Sequence, residues 1–127
     1  MSTPPIAHFP AEQVRAAFAT GKVLLANPAY QVHASLREQP GEAELHALDT
    51  DVFFALEGEA TVVLGGTILE PRQLSPTETR GTAIEGGEDH RLAPGDVLVI
   101  PAGTPHWFRD VRGPMRYYTV KVPERPE

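Results

Sequence analysis

The chain has 127 residues, a formal net charge of −6 and 41% apolar residues, which suits one compact domain, residues 1–127, with a modest core. That acidity excludes nucleic acid as a main partner, because neutralising phosphates needs a basic face, and it argues equally against docking on an anionic membrane. There is no cysteine, so disulfides, thiolate metal sites and cysteine nucleophiles are ruled out.

In chain order, residues 1–10 are Pro-rich and are expected to lie loosely on the surface. They show no basic start followed by an apolar run, so no secretory signal is expected and the cytoplasm is the default location. No stretch approaches the roughly 18 apolar residues of a membrane helix. From Pro10 to Thr20, Val14, Ala17 and Phe18 recur at helical spacing. Pro10 marks a start and Gly21 a stop, which predicts one short helix at the end of an N-terminal arm, residues 1–21.

After Gly21 the texture is that of strands, expected to build a β-barrel over residues 22–122. Lys22–Ala26 and Tyr30–Arg37 are separated by the Asn27-Pro28 break. Glu44–Leu48 and Val52–Leu56 read as two strands across a tight Asp49-Thr50 turn, and Gly58 reads as a further turn before Ala60–Leu64. Residues 70–90 are polar and rich in Pro and Gly, and read as one long functional or mobile loop. Strands resume at Asp96–Ile100, His106–Arg109 and Met115–Val122, and the tail from 123 to 127 is expected to fray. Many short strands with closely spaced turns imply an all-β sandwich or barrel.

Two segments carry candidate chemistry. In Gly95-Asp96-Val97-Leu98-Val99-Ile100-Pro101-Ala102-Gly103-Thr104-Pro105-His106, a Gly-Asp turn leads into an apolar strand. Pro101, Gly103 and Pro105 then force a reversal, and His106 opens the next strand. Upstream, Glu44-Leu45-His46 precedes Asp51 and then Gly58. Residues two apart on a strand face the same side, so Glu44 and His46 can both point inward, and strands of a closed barrel converge on one interior.

The 95–106 segment resembles the second signature motif of the cupin superfamily, with Asp110 where an Asn is usual. Residues 44–58 resemble the first motif with two departures: Glu44 stands in place of a His and Asp51 in place of a Glu. The resemblance covers roughly residues 30–122. It implies a double-stranded β-helix (jelly-roll) barrel whose His46, His106, Glu44 and Asp51 meet at a divalent metal. A set of two imidazoles and two carboxylates suits Fe(II), Mn(II), Zn(II) or Ni(II). An aspartate is shorter than a glutamate by one bond, about 1.5 Å, so the backbone must compensate if Asp51 is to ligate.

By alternation Phe53 shares a face with Asp51 and Phe108 with His106, which makes both candidate pocket walls. Trp107 points the other way, toward packing, a subunit contact or solvent. His33 lies on a strand of undetermined facing, and His90 reads as solvated. Arg37, Arg80, Arg91, Arg109 and Arg116 are each able to anchor an anionic substrate, and nothing in the sequence selects one. The cupin resemblance implies a small-molecule ligand and permits dioxygenase, isomerase, decarboxylase or lyase chemistry, with Glu44 as the acid/base if it is not a ligand. The alternative is a non-catalytic binding or sensing module in the same barrel, and a third reading is a partner-binding barrel with an empty pocket. A homodimer is the expected assembly, because a small domain gains stability by covering an exposed sheet edge.

Overall fold

The computed structural model describes residues 3–124. The first two residues and most of the expected tail, 125–127, lie outside the described residues. One helix, α1 (Ala11–Thr20), is followed by strands only. Gly21 ends the helix with φ 75° and its N–H bonded to the Ala17 carbonyl at 2.9 Å. Ala17 and Phe18 are buried against Ala34, Leu24 and Tyr118, so α1 covers the outside of one sheet layer.

The strands are β1 (Lys22–Ala26), β2 (Gln31–Arg37), β3 (Ala43–His46), β4 (Asp49–Leu64), β5 (Thr67–Leu69) and β6 (Arg72–Ser75). They continue as β7 (Glu78–Gly81), β8 (Ala83–Glu85), β9 (Glu88–Leu92), β10 (Val97–Ile100) and β11 (His106–Pro123). The two longest, β4 and β11, pair antiparallel along most of their length and frame the barrel. The first half of β4 and the second half of β11 form one layer, in the order β1-β2-β11-β4-β10. Their other halves form the second layer with β9 on one side and β3-β7-β6 on the other. Between the layers, Phe53, Ala55 and Ile100 of the first pack against Val62, Leu92 and Phe108 of the second. This is the all-β jelly-roll expected, with its single helix.

Four local expectations are corrected. Glu44–Leu48 and Val52–Leu56 are not partners in a hairpin: β3 pairs with β7 and, at His106↔Glu44, with β11. Gly58 is not a turn between two strands but a bend within β4. Its φ is 77°, and a Cβ there would lie 2.5 Å from the Pro114 carbonyl oxygen. Glycine is what lets the two long strands stay paired while they change layer. Residues 70–90 are no loop, because they contain β6, β7, β8 and the start of β9. These strands are only three to five residues long and mostly polar, so they carry no alternating apolar pattern. Likewise the two expected strands 106–109 and 115–122 are one strand interrupted by register shifts.

Candidate metal centre and cavity

The barrel opens on a cavity of about 390 Å³, within the range typical of small-molecule sites. Its polar end is built by β3, β4 and β11. Glu44 and His46 sit two apart on β3 and face inward together. Asp51 comes from the start of β4, where it is only 2% exposed, and His106 from the start of β11, where it is 4% exposed. The Pro101–Pro105 reversal delivers His106, and its Nδ1 lies 3.1 Å from the Thr104 carbonyl oxygen. A carbonyl can only accept, so Nδ1 carries the proton and Nε2 keeps its lone pair toward the cavity.

Asp51 Oδ2 lies 3.9 Å from His106 Nε2 and 3.3 Å from His46 Nδ1. The two imidazole rings are 5.1 Å apart between centroids. One donor atom from each of His46, Asp51 and His106 falls within a single 4.8 Å cluster. The shorter aspartate reaches this point because its own backbone lies deep in the barrel, directly opposite Lys121 on β11. Its other oxygen, Oδ1, accepts from Lys121 Nζ at 2.8 Å. On the far side of His46, Nε2 is 3.5 Å from Glu44 and 3.6 Å from Glu78, which form a second cluster with it. Arg80 binds Glu78 at 2.9 Å and reaches Glu44 at 3.5 Å.

These surroundings set the charge states. The close contacts to Asp51 and then Glu44 push the His46 imidazole up to about 9, against burial, which works the other way. His106 moves down, chiefly through burial, and is neutral at pH 7. Burial alone would raise Asp51 and Glu44, but the His46 contact together with nearby cations holds both below the usual carboxylate range. His46 Nδ1 is buried, and its contact with Asp51 does not have the direction of a hydrogen bond. It is an unsatisfied polar atom aimed at a carboxylate and a second imidazole. Such an atom is costly unless something else binds there.

The fit to a divalent ion follows from the donors. His106 Nε2, His46 Nδ1 and Asp51 Oδ2 offer two nitrogens and one anionic oxygen at one point, while Lys121 occupies only the opposite oxygen of Asp51. Glu44 stands on the Nε2 side of His46, where a carboxylate orients the ring.

Beyond this end, Phe53 and Phe108 lie on the cavity wall with Tyr117, their rings 5.1–5.6 Å apart. Trp107 faces outward from the cavity: its Nε1 donates to the Gly41 carbonyl at 3.0 Å and its ring packs on Ala43, Val63 and Ile84. His90 pairs with Glu88 away from the cavity, and Asp110 is exposed beside Arg109. The remaining wall is not assigned from the sequence, where the facing of His33 is undetermined and Arg37 is one of five undistinguished arginines. It consists of Gln31, His33, Ser35 and Arg37 of β2 facing Tyr117, Thr119 and Lys121 of β11. Its signal was the polar period of two along Gln31–Arg37, repeated at Tyr117–Lys121.

A family profile described as Cupin domain matches residues 78–121, less than half of the chain. No curated protein matches the sequence. Among solved structures, a Bacillus halodurans protein shares the fold with a TM-score of 0.66 and 16% identity, covering 98% of this chain and 85% of that one. KdgF from Halomonas sp. gives 0.58 and 18%, over 83% of this chain and 80% of that one. Hydroquinone 1,2-dioxygenase PnpCD, in complex with Cd²⁺ and 4-hydroxybenzonitrile, gives 0.62 and 16%, over 98% and 82%. Residues 78–121 are thus similar to the cupin domain, and the barrel as a whole shares its fold with these structures.

Proposed function

We propose that the barrel binds one divalent metal ion through His46, Asp51 and His106 and holds a small organic molecule beside it, as a metal-dependent enzyme. The observation that carries this reading is the buried His46 Nδ1, left without a hydrogen bond while facing Asp51 Oδ2 in one cluster with His106. The dioxygenase with bound Cd²⁺ that shares the fold supports it as an analogy. A bound ion would supply Lewis-acid polarisation of a substrate oxygen.

The chain's own residues have separable tasks. Lys121 holds Asp51 in place and balances its second oxygen. Thr104 fixes the tautomer of His106. Glu44 orients His46 from behind and, kept ionised by the His46 contact and by Arg80, accepts a proton at a carboxylate oxygen. Phe53 and Phe108 keep water from one side of the bound molecule.

Thermal melts of metal-stripped protein with added Mn(II), Fe(II), Ni(II) or Zn(II) test the reading. The wild type gains stability with at least one ion, and His46→Ala and His106→Ala gain none. Equal behaviour of wild type and both variants with all four ions contradicts it. A Glu44→Gln variant that takes up metal normally but turns over nothing assigns Glu44 to proton transfer rather than ligation.

A further inference from the structure

Five cationic or ionisable nitrogen groups besides His106 line the cavity, and their partners differ. Lys121 is held by Asp51, Arg80 by Glu78 and Glu44, and His46 lies among carboxylates. His33 is bonded to Gln31, and burial followed by the Lys121 charge lowers its pKa. Arg37 stands apart. Among the described residues it has no carboxylate within ion-pairing distance. Its guanidinium carbon lies 4.5 Å over the centre of the Phe108 ring, and its Nε donates to the Tyr117 hydroxyl at a long 3.5 Å.

A Cβ at Gly41 would lie 2.4 Å from an Arg37 terminal nitrogen, so in this pose the fork lies close against the Gly41 backbone. Phe108, beneath the fork, is packed on Phe53 and Tyr117 and is 3% exposed. Stacking on a ring leaves a guanidinium's in-plane N–H groups free to donate. Phe108 is two residues from His106 on one strand face, a separation of about 7 Å.

We infer that Arg37, stacked on Phe108, is an anion subsite, and that the cavity takes a compact, flat organic acid. Its carboxylate pairs with Arg37, its unsaturated body lies along Phe53, Phe108 and Tyr117, and a hydroxyl or keto oxygen at the far end reaches the His46–Asp51–His106 cluster. The inference rests on the proposed metal site for the far end only. The lack of an acidic partner for Arg37 favours an anion, because a neutral ligand would leave the guanidinium fork unpaired in a half-closed site.

The test uses 4-hydroxybenzoate, which carries a hydroxyl and a carboxylate at opposite ends of one ring, and its neutral analogue 4-hydroxybenzamide. Both are titrated calorimetrically into metal-stripped and Mn(II)-loaded protein. The wild type is expected to bind the acid at least about tenfold more tightly than the amide. Arg37→Gln is expected to bind the two alike, and Arg37→Lys, which keeps the charge without the fork, to retain part of the preference. If Arg37→Gln fails to fold, Arg37→Lys carries the test through a severalfold loss of preference. Equal binding of acid and amide by the wild type, binding of neither up to the solubility limit, or a preference unchanged in both Arg37 variants overturns the subsite. Mn(II) is expected to tighten both probes through the shared hydroxyl, and this gain survives Arg37→Gln but disappears in His106→Ala. An Arg37-dependent preference with no effect of Mn(II) would uphold the anion subsite and count against the metal reading.

Discussion

The two strands that bring histidines to the cavity treat the same side chain in opposite ways. On β11, His106 is buried, neutral and fixed in one tautomer by a backbone carbonyl. On β3, His46 sits among Asp51, Glu44 and Glu78 and is held as an imidazolium by them. One end of the site is preorganised by packing, whereas the other is a concentration of carboxylates balanced by the His46 imidazolium, the Lys121 ammonium and the Arg80 guanidinium. A divalent ion would take over that task, which is why the contrast bears on function.

The largest expected effect breaks the packed side of the comparison. Phe108→Ala removes a ring that is 3% exposed and supports Phe53, Tyr117 and Arg37, and is expected to cost about 3–5 kcal/mol in denaturant unfolding. Next comes the metal-linked term. At a metal concentration a hundredfold above Kd the wild type is expected to gain about 2.7 kcal/mol. Either His46→Ala or His106→Ala should abolish the gain, as read by thermal melts with and without metal.

Lys121→Met separates the two ends more finely. It leaves the 2%-exposed Asp51 without its ammonium, and the metal-stripped variant is expected to lose about 1–3 kcal/mol, a buried-pair cost reduced by the partial exposure of Lys121. Saturating metal should restore most of that loss, because the ion compensates the same carboxylate. A loss that metal leaves unchanged would mean the lysine acts through packing alone.

The legible part of the fold was local. The Gly95–His106 segment reads from its own Gly and Pro spacing, and the structure places His106 at the mouth of β11 as that spacing implies. Gly58 also looked like a turn, and residues 106–109 and 115–122 like two separate strands. Inside long paired strands they are bends and register shifts, because the pairing of β4 with β11 outweighs local turn preference. Strands β6 to β8 were illegible for the converse reason: they have almost no apolar face and exist by pairing with β3, with each other, or with β5. At the site, Glu44, His46, Asp51 and His106 could be named from the two motifs. Lys121, Glu78 and Arg80 could not, since they reach the cluster through cross-strand register that no single stretch of sequence encodes.

The most graded prediction concerns pH. His46 titrates at about 9 in the folded, metal-free protein against 6.5 ordinarily. Its protonation therefore stabilises the fold fully below pH 6.5, and this contribution fades as the pH rises through about 9. Metal needs the neutral ring, so its apparent affinity should climb by up to about tenfold per pH unit across the same window. Calorimetric metal titrations at several pH values read this slope, and a flat profile would remove His46 from the ligand set.

The central claim is that one ion is shared by His106 and by His46 once His46 has given up its proton, and X-ray absorption of the Zn(II)-loaded protein tests it most directly. The expected spectrum has two imidazoles with oxygen ligands in the wild type, and this two-imidazole signature is lost in both His46→Ala and His106→Ala. A spectrum without imidazole scattering, or one unchanged by both substitutions, would contradict the account.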